Sequence, residues 1–224
     1  LSLMRTLRLV HRGAPLMGWI AGRFVLPRCE FELQVAASLL PALGTVLERV
    51  RQGLDLDADP SLIDDALGNV PGPVVPGLRL PNGMDGFESA VRVILGQQVT
   101  VAAARTLVSR LVGRFGAAID TPHAALTRCF PDAATLAGAS AEAIGTLGIV
   151  RQRVGALQAL AREVHAGRIA LHRGAPLTAT QDALRALPGV GEWTVQLISM
   201  RALAWPDAFP ATDIGVLNAL GTRD

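Results

Sequence analysis

After residue 85, apolar residues recur at intervals of three and four along most of the chain, and this spacing predicts helices. Residues 85–100 read as one capped helix, with Phe87, Ala90, Val91, Ile94 and Leu95 on its buried side and Gly96 as its stop. Gln97-Gln98-Val99 then forms a short loop. Over residues 100–115 the apolar stripe is Val101, Ala104, Leu107, Val108, Leu111, Val112 and Phe115, with Arg105, Arg110 and Arg114 turned elsewhere. Thr178 and Gln181 are spaced as a capping box for a short helix carrying Ala183, Leu184 and Leu187 on one side. Trp193, Leu197, Met200 and Ala204, with a second row of Val195, Ile198 and Ala202, trace the next helix. Asp213 opens a final one, Ile214–Leu220.

The first third has another rhythm. Residues 7–10 and 30–35 suggest short strands, and Leu39, Leu40, Leu43, Val46, Leu47 and Val50 then trace a helix. Asp55, Asp57 and Asp59 lack the glycine and distal glutamate of a calcium loop, so they read as a solvated acidic linker. Prolines and glycines at residues 71–76 mark a boundary. The expected fold is therefore mainly α: a small α+β domain with an antiparallel sheet over residues 1–75, then a helical domain over residues 76–224.

Between the last two longer helices stands Leu187-Pro188-Gly189-Val190-Gly191-Glu192-Trp193-Thr194. A Pro-Gly-X-Gly turn exposes backbone N–H groups at the start of the second helix, where the helix dipole favours an anion. A backbone without Cβ can take left-handed angles and lets a ribose-phosphate chain come close. The turn thus reads as a phosphate cradle for DNA of any sequence, built on Gly189, Gly191 and Thr194. An ordinary helix-to-helix turn with a glycine at the C-cap is the competing explanation of a bare Pro-Gly pair. Asp213, taken alone, reads as a helix cap.

Three blocks together resemble the helix-hairpin-helix (HhH-GPD) DNA glycosylase superfamily, in its 3-methyladenine DNA glycosylase II branch. They are Pro76-Gly77-Leu78-Arg79-Leu80-Pro81; Gly86-Phe87-Glu88 running into Val91-Arg92-Val93-Ile94-Leu95-Gly96-Gln97-Gln98-Val99-Thr100; and the hairpin through Asp213. The likeness runs from about residue 39 to the end. It implies a monofunctional hydrolase of base excision repair that flips alkylated purines out of double-stranded DNA and cleaves their N-glycosidic bond. Asp213 matches the catalytic aspartate, whose charge would stabilise an oxocarbenium-like sugar. The resemblance makes Trp193 a wall of the base pocket, where an indole attracts an electron-poor purine, with Leu197 and Ile214 at lining positions. The family pocket is richer in aromatics, whereas this chain has no tyrosine. Gln98 is the candidate wedge that fills the gap left by the flipped nucleotide. The likeness also implies a sodium or potassium ion held by the backbone carbonyls of Arg185, Leu187 and Val190, with no other cofactor required. A non-catalytic helix-hairpin-helix module binding DNA backbone is the second reading, and part of a fused alkylation-response regulator the third.

Absences sharpen this picture. All 21 residues in the Lys+Arg count are arginine, so no lysine is present to form a Schiff base with an abasic sugar. Bifunctional relatives place a lysine two residues beyond the last hairpin glycine, where Trp193 stands. Cys29 and Cys129 are too few for a four-cysteine iron–sulfur cluster, and His11, His123, His165 and His172 lack ligand spacing. A net charge of +2 leaves DNA affinity to local placement, with Arg151 and Arg153 beside Gly148-Ile149-Val150 either a DNA patch or a solvated face. Arg5, Arg8, Arg12 and Arg23 interrupt any signal-peptide core, and no uncharged apolar stretch of membrane-spanning length occurs. A cytoplasmic monomer with no membrane partner is expected. The chain begins with Leu and only eleven residues follow Asp213 (224 minus 213), so both domains are expected to be incomplete at their outer ends.

Overall fold

A computed structural model describes residues 2–68 and 75–221. Three antiparallel strands, β1 (Ser2–His11), β2 (Ala14–Val25) and β3 (Glu30–Val35), form a meander in that order. Arg12 and Gly13 join β1 to β2 with φ of 51° and 81°, the left-handed pair that a two-residue hairpin turn requires. Only residues 7–10 of β1, and β3, are legible from periodicity; β2 is not. Its Pro15, Gly18 and Gly22 break the alternation, and its pairing with strands on both sides supplies the order that its own pattern lacks. Gly18 has a packing role: a Cβ there would lie 2.5 Å from Leu39, which is fully buried on the sheet.

A 3-10 turn over residues 37–42 leads into α1 (Leu43–Gly53), whose Val46 and Val50 join Leu7, Leu9, Ile20, Leu39 and Met84 in the first hydrophobic core. The acidic run is no mere linker. Asp57 pairs with Arg51, Asp55 accepts the Leu80 N–H at 2.9 Å, and Asp59 caps α2 (Pro60–Leu67) through the Ser61 N–H. That helix was not expected, since its burial is slight and its start is signalled only by Asp59-Pro60. Of the boundary at residues 71–76, only 75 and 76 lie within the described residues.

The helical domain follows: α3 (Gly86–Leu95), α4 (Val101–Phe115), α5 (Ala133–Gly138), α6 (Ala141–Gly145), α7 (Arg151–His165), α8 (Leu177–Arg185), α9 (Glu192–Arg201) and α10 (Ile214–Leu220). Asp85 caps α3 as expected, accepting the Glu88 N–H at 2.9 Å. Ala90, Val91, Ile94 and Leu95 are fully buried against α7 and α9, each larger side chain contributing roughly 1.5–3 kcal/mol. Thr100 caps α4, but Val101 is 71% exposed and leaves the expected stripe because it occupies the first turn beside the solvent-facing loop. Ala204 lies beyond the end of α9. The Thr178–Gln181 capping box does not form: α8 starts after Pro176 without a side-chain cap, and Gln181 donates instead to Ser199 Oγ at 3.0 Å.

Charges join the sheet to the helices. Arg5 reaches Glu88 at 2.7 Å, Glu88 reaches Arg92 at 2.8 Å, and Arg49 reaches Asp85 at 3.2 Å. Arg8 pairs with Asp132, the Thr6 hydroxyl donates to the Arg128 carbonyl at 2.9 Å, and Trp19 meets His123 edge to face at 4.7 Å. Among the described residues no helix is long and apolar enough to cross a membrane.

Candidate functional site

Helices α8 and α9 meet through residues 186–191. Leu187 and Val190 are buried in the helical core, so the turn is anchored by its apolar members while Pro188, Gly189 and Gly191 stay exposed. The Val190 N–H closes the turn on the Leu187 carbonyl at 3.2 Å. Gly189 takes φ +76°, and a Cβ there would press on Ala156 and Gln152 at 3.5 Å. Gly191 differs: its backbone is extended at φ −95°, and a Cβ would meet open space. The left-handed requirement therefore applies to Gly189, and a need for glycine at Gly191 could arise only from what approaches from outside. No side chain caps α9, so the N–H groups of its first turn face the mouth of the bend.

Glu192 begins α9 and carries the wrong sign for a phosphate neighbour. Arg185 neutralises it across the bend, at 2.9 Å, while also holding Asp182 at 2.9 Å. The Arg185 guanidinium, with the Gln196 amide behind it, holds the Glu192 carboxyl down at about 2. This strap was not foreseen, although an arginine and a glutamate seven residues apart across a tight turn could have suggested it.

Asp213 and Trp193 come together. The indole N–H donates to Asp213 Oδ2 at 2.8 Å, and the other carboxylate oxygen accepts the Gly215 N–H at 2.8 Å as the cap of α10. The return of the chain is fixed by Gln196, whose amide oxygen accepts the Phe209 N–H at 3.2 Å, and by the Asp213 N–H donating to Pro210 at 2.8 Å. The indole bond holds the Asp213 carboxyl below its usual range; partial desolvation opposes this, and the Gly215 and Val216 N–H groups reinforce it. Asp213 is therefore an anion at neutral pH with both oxygens directed, yet still half exposed. Such a group is a weak base and a steady negative charge, suited to stabilising a cation beside it.

Leu197 lies one turn beyond Trp193 on the same side of α9 and is half-buried, while Ile214 beside Asp213 is 52% exposed. Gln98 is exposed at the tip of its loop with φ +52°, an uncommon angle for glutamine. Thr194 differs from expectation: it is 2% exposed, so its side chain offers nothing to DNA and its hydroxyl accepts a hydrogen bond from Gln97 at 2.9 Å. The same Gln97 amide also donates to the Gly189 carbonyl at 2.9 Å. Local spacing gave no signal for this link, which spans more than ninety residues. Arg110 donates to the Leu147 carbonyl at 3.0 Å beside the second glycine turn, and Arg151 and Arg153 are, respectively, exposed and half-exposed on α7.

Two family models match the chain: the AlkA N-terminal domain over residues 2–85, and the HhH-GPD superfamily base excision DNA repair protein over residues 91–222. The "Probable bifunctional transcriptional activator/DNA repair enzyme AlkA" of Mycobacterium tuberculosis is 41% identical over 179 residues, covering 78% of this chain and 36% of that protein. DNA-3-methyladenine glycosylase 2 of Escherichia coli K12 is 32% identical over 194 residues, covering 84% of this chain and 66% of that protein. The chain thus spans about a third of the first relative and just under two thirds of the second. In fold it is similar to a 3-methyladenine DNA-glycosylase from Archaeoglobus fulgidus, with a TM-score of 0.77 at 21% identity over 99% of this chain and 74% of that one. A Clostridium acetobutylicum 8-oxoguanine glycosylase/lyase, solved with double-stranded DNA, gives 0.72 at 14% identity, covering 96% and 74%.

Proposed function

Because the chain belongs to the HhH-GPD superfamily of base excision DNA repair proteins, we propose that it is a monofunctional DNA glycosylase releasing alkylated purines of the 3-methyladenine type from duplex DNA. The observation that carries this is the directed carboxylate: Asp213 is held by the Trp193 indole at 2.8 Å, on the helix that the glycine bend begins. Capping α10 uses only Oδ1; a cap alone leaves the indole bond to Oδ2 without a purpose.

The chemistry runs as follows. An alkylated purine already carries positive charge, so it leaves with the electron pair of the C1′–N bond and departs neutral. The sugar is left cationic, and the Asp213 carboxylate offsets that charge while water adds at C1′ and loses a proton to solvent. The bend holds the strand through the N–H groups at the start of α9, the exposed Gln98 takes the place of the everted nucleotide, and Trp193 and Leu197 border the base. A sodium or potassium ion on the carbonyls of Arg185, Leu187 and Val190 fits this scheme. Among the described residues the carbonyls of Arg185 and Val190 take no backbone hydrogen bond, and Leu187 keeps a second lone pair. The ion would add positive charge where a phosphate approaches. The lack of any lysine among these 224 residues supports hydrolysis without strand cleavage by a lysine Schiff base. Action as a cytoplasmic monomer belongs to the same proposal; the free thiols of Cys29 and Cys129 suit its reducing compartment.

Mass spectrometry of the bases freed from methylated duplex by the full-length protein is the test. Free methylpurines, with strands intact until alkali is added, are expected. Binding of the duplex without release of any base would instead favour the non-catalytic module. The bifunctional name of the Mycobacterium tuberculosis relative keeps a fused regulatory portion as the setting in which that module could act.

A further inference from the structure

Gln97 is half-buried at the end of α3, and its single amide nitrogen donates at 2.9 Å to the Gly189 carbonyl and at 2.9 Å to Thr194 Oγ1. The first acceptor is in the glycine bend and the second in the first turn of α9, so one side chain fixes both the height and the tilt of the bend relative to the loop. The loop has little else to hold it: the Gly96 and Gln97 N–H groups only complete the last turn of α3, at 3.0 and 3.3 Å. Gln98 follows directly, exposed, at φ +52°, which a non-glycine residue keeps only when its neighbours enforce it. The Gln97 amide nitrogen is engaged with these two acceptors, and it ties together the two parts that the proposed function assigns to DNA.

We propose that Gln97 is a positioning residue that locks the Gln98 loop to the phosphate-gripping bend, so that anchoring the strand and filling the vacated stack occur as one motion. This rests on the glycosylase function proposed above. It predicts that losing the lock harms the step in which a paired base is driven out, and spares the chemistry once the base is free.

The experiment compares single-turnover base release from the same alkylated purine in two duplexes, one fully paired and one with the lesion in an unpaired bubble. Gln97→Ala should slow release from the paired lesion by about tenfold, as expected for two neutral hydrogen bonds, and from the bubble by less than about threefold. Thr194→Val, which removes one acceptor with little change of shape, should act in the same direction to a smaller degree. The double variant should be no slower than Gln97→Ala alone. A paired-to-bubble ratio of slowing below about threefold in Gln97→Ala would overturn the proposal, because general loosening of the fold slows both substrates alike. If Gln97→Ala does not fold, as judged by circular dichroism, the ratio in Thr194→Val decides. If the wild type frees no base from either duplex, the glycosylase function falls. The lock is then read from 2-aminopurine fluorescence: brightening on binding that Gln97→Ala loses supports it, and equal brightening overturns it.

Discussion

Trp193→Phe keeps an aromatic face at the candidate pocket and deletes one atom group that matters, the indole N–H 2.8 Å from Asp213 Oδ2. A hydrogen bond to a charged acceptor is worth about 1.5–3 kcal/mol, and the half-exposed carboxylate can take water in exchange, so the lower end applies. A loss of about 1.4 kcal/mol in the transition state is roughly tenfold in rate. The pH dependence should move as well. The indole is the main cause holding the Asp213 carboxyl below its usual range, so its removal lets the folded-state pKa rise toward the ordinary value. Because the anion is the working form, the acid limb of the rate profile shifts to higher pH while the neutral plateau stays flat. The assay is single-turnover release of a methylpurine from pH 3 to 8, corrected for acid depurination without enzyme, since both limbs lie at or below the ordinary carboxylate value. A tenfold drop with the limb unmoved would mean that Trp193 acts only as a stacking wall, and an unchanged profile would refute any effect of the bond on Asp213.

Two further outcomes test the frame around the site. Gly191→Glu should leave the fold intact, since a Cβ there meets nothing within 4 Å, yet weaken binding to all DNA sequences by about tenfold or more; unchanged affinity by fluorescence anisotropy would remove the phosphate-cradle claim. Gly86→Ala places a Cβ 1.8 Å from the Leu171 backbone carbonyl, a clash that should cost about 1–3 kcal/mol and lower Tm, whereas Gly113→Ala on the open side of α4 should be neutral or raise Tm by the helix propensity of alanine.

What could be read before the fold was known followed the range of the interactions. The helices α3, α4 and α9 announce themselves because each buries one continuous face, and Leu95, Leu111 and Ile198 sit fully buried where the spacing puts them. The bend is equally local: proline and glycine restrict the chain within a few residues. β2 escaped because its glycines suit Leu39 and Phe31, partners supplied by other segments. Gln181 has the spacing of a cap but finds Ser199, eighteen residues on, since a buried tertiary partner outcompetes a local one. The Trp193–Asp213 bond and the Gln97 lock are of the same kind, with polar groups chosen by the fold over gaps of 20 and more than 90 residues. Asp213 itself could be singled out through its distance from the bend, but its orientation could not.

The most direct test of the central claim is Asp213→Asn, which removes the charge at nearly constant shape and leaves one acceptor oxygen, enough for either the Trp193 N–H or the cap of α10 but not both. The variant should bind duplex DNA within about threefold of wild type and release methylpurines at least roughly a hundredfold more slowly, the scale seen when one electrostatic partner of a developing charge is deleted. Base release at the wild-type rate, with binding intact, would contradict it.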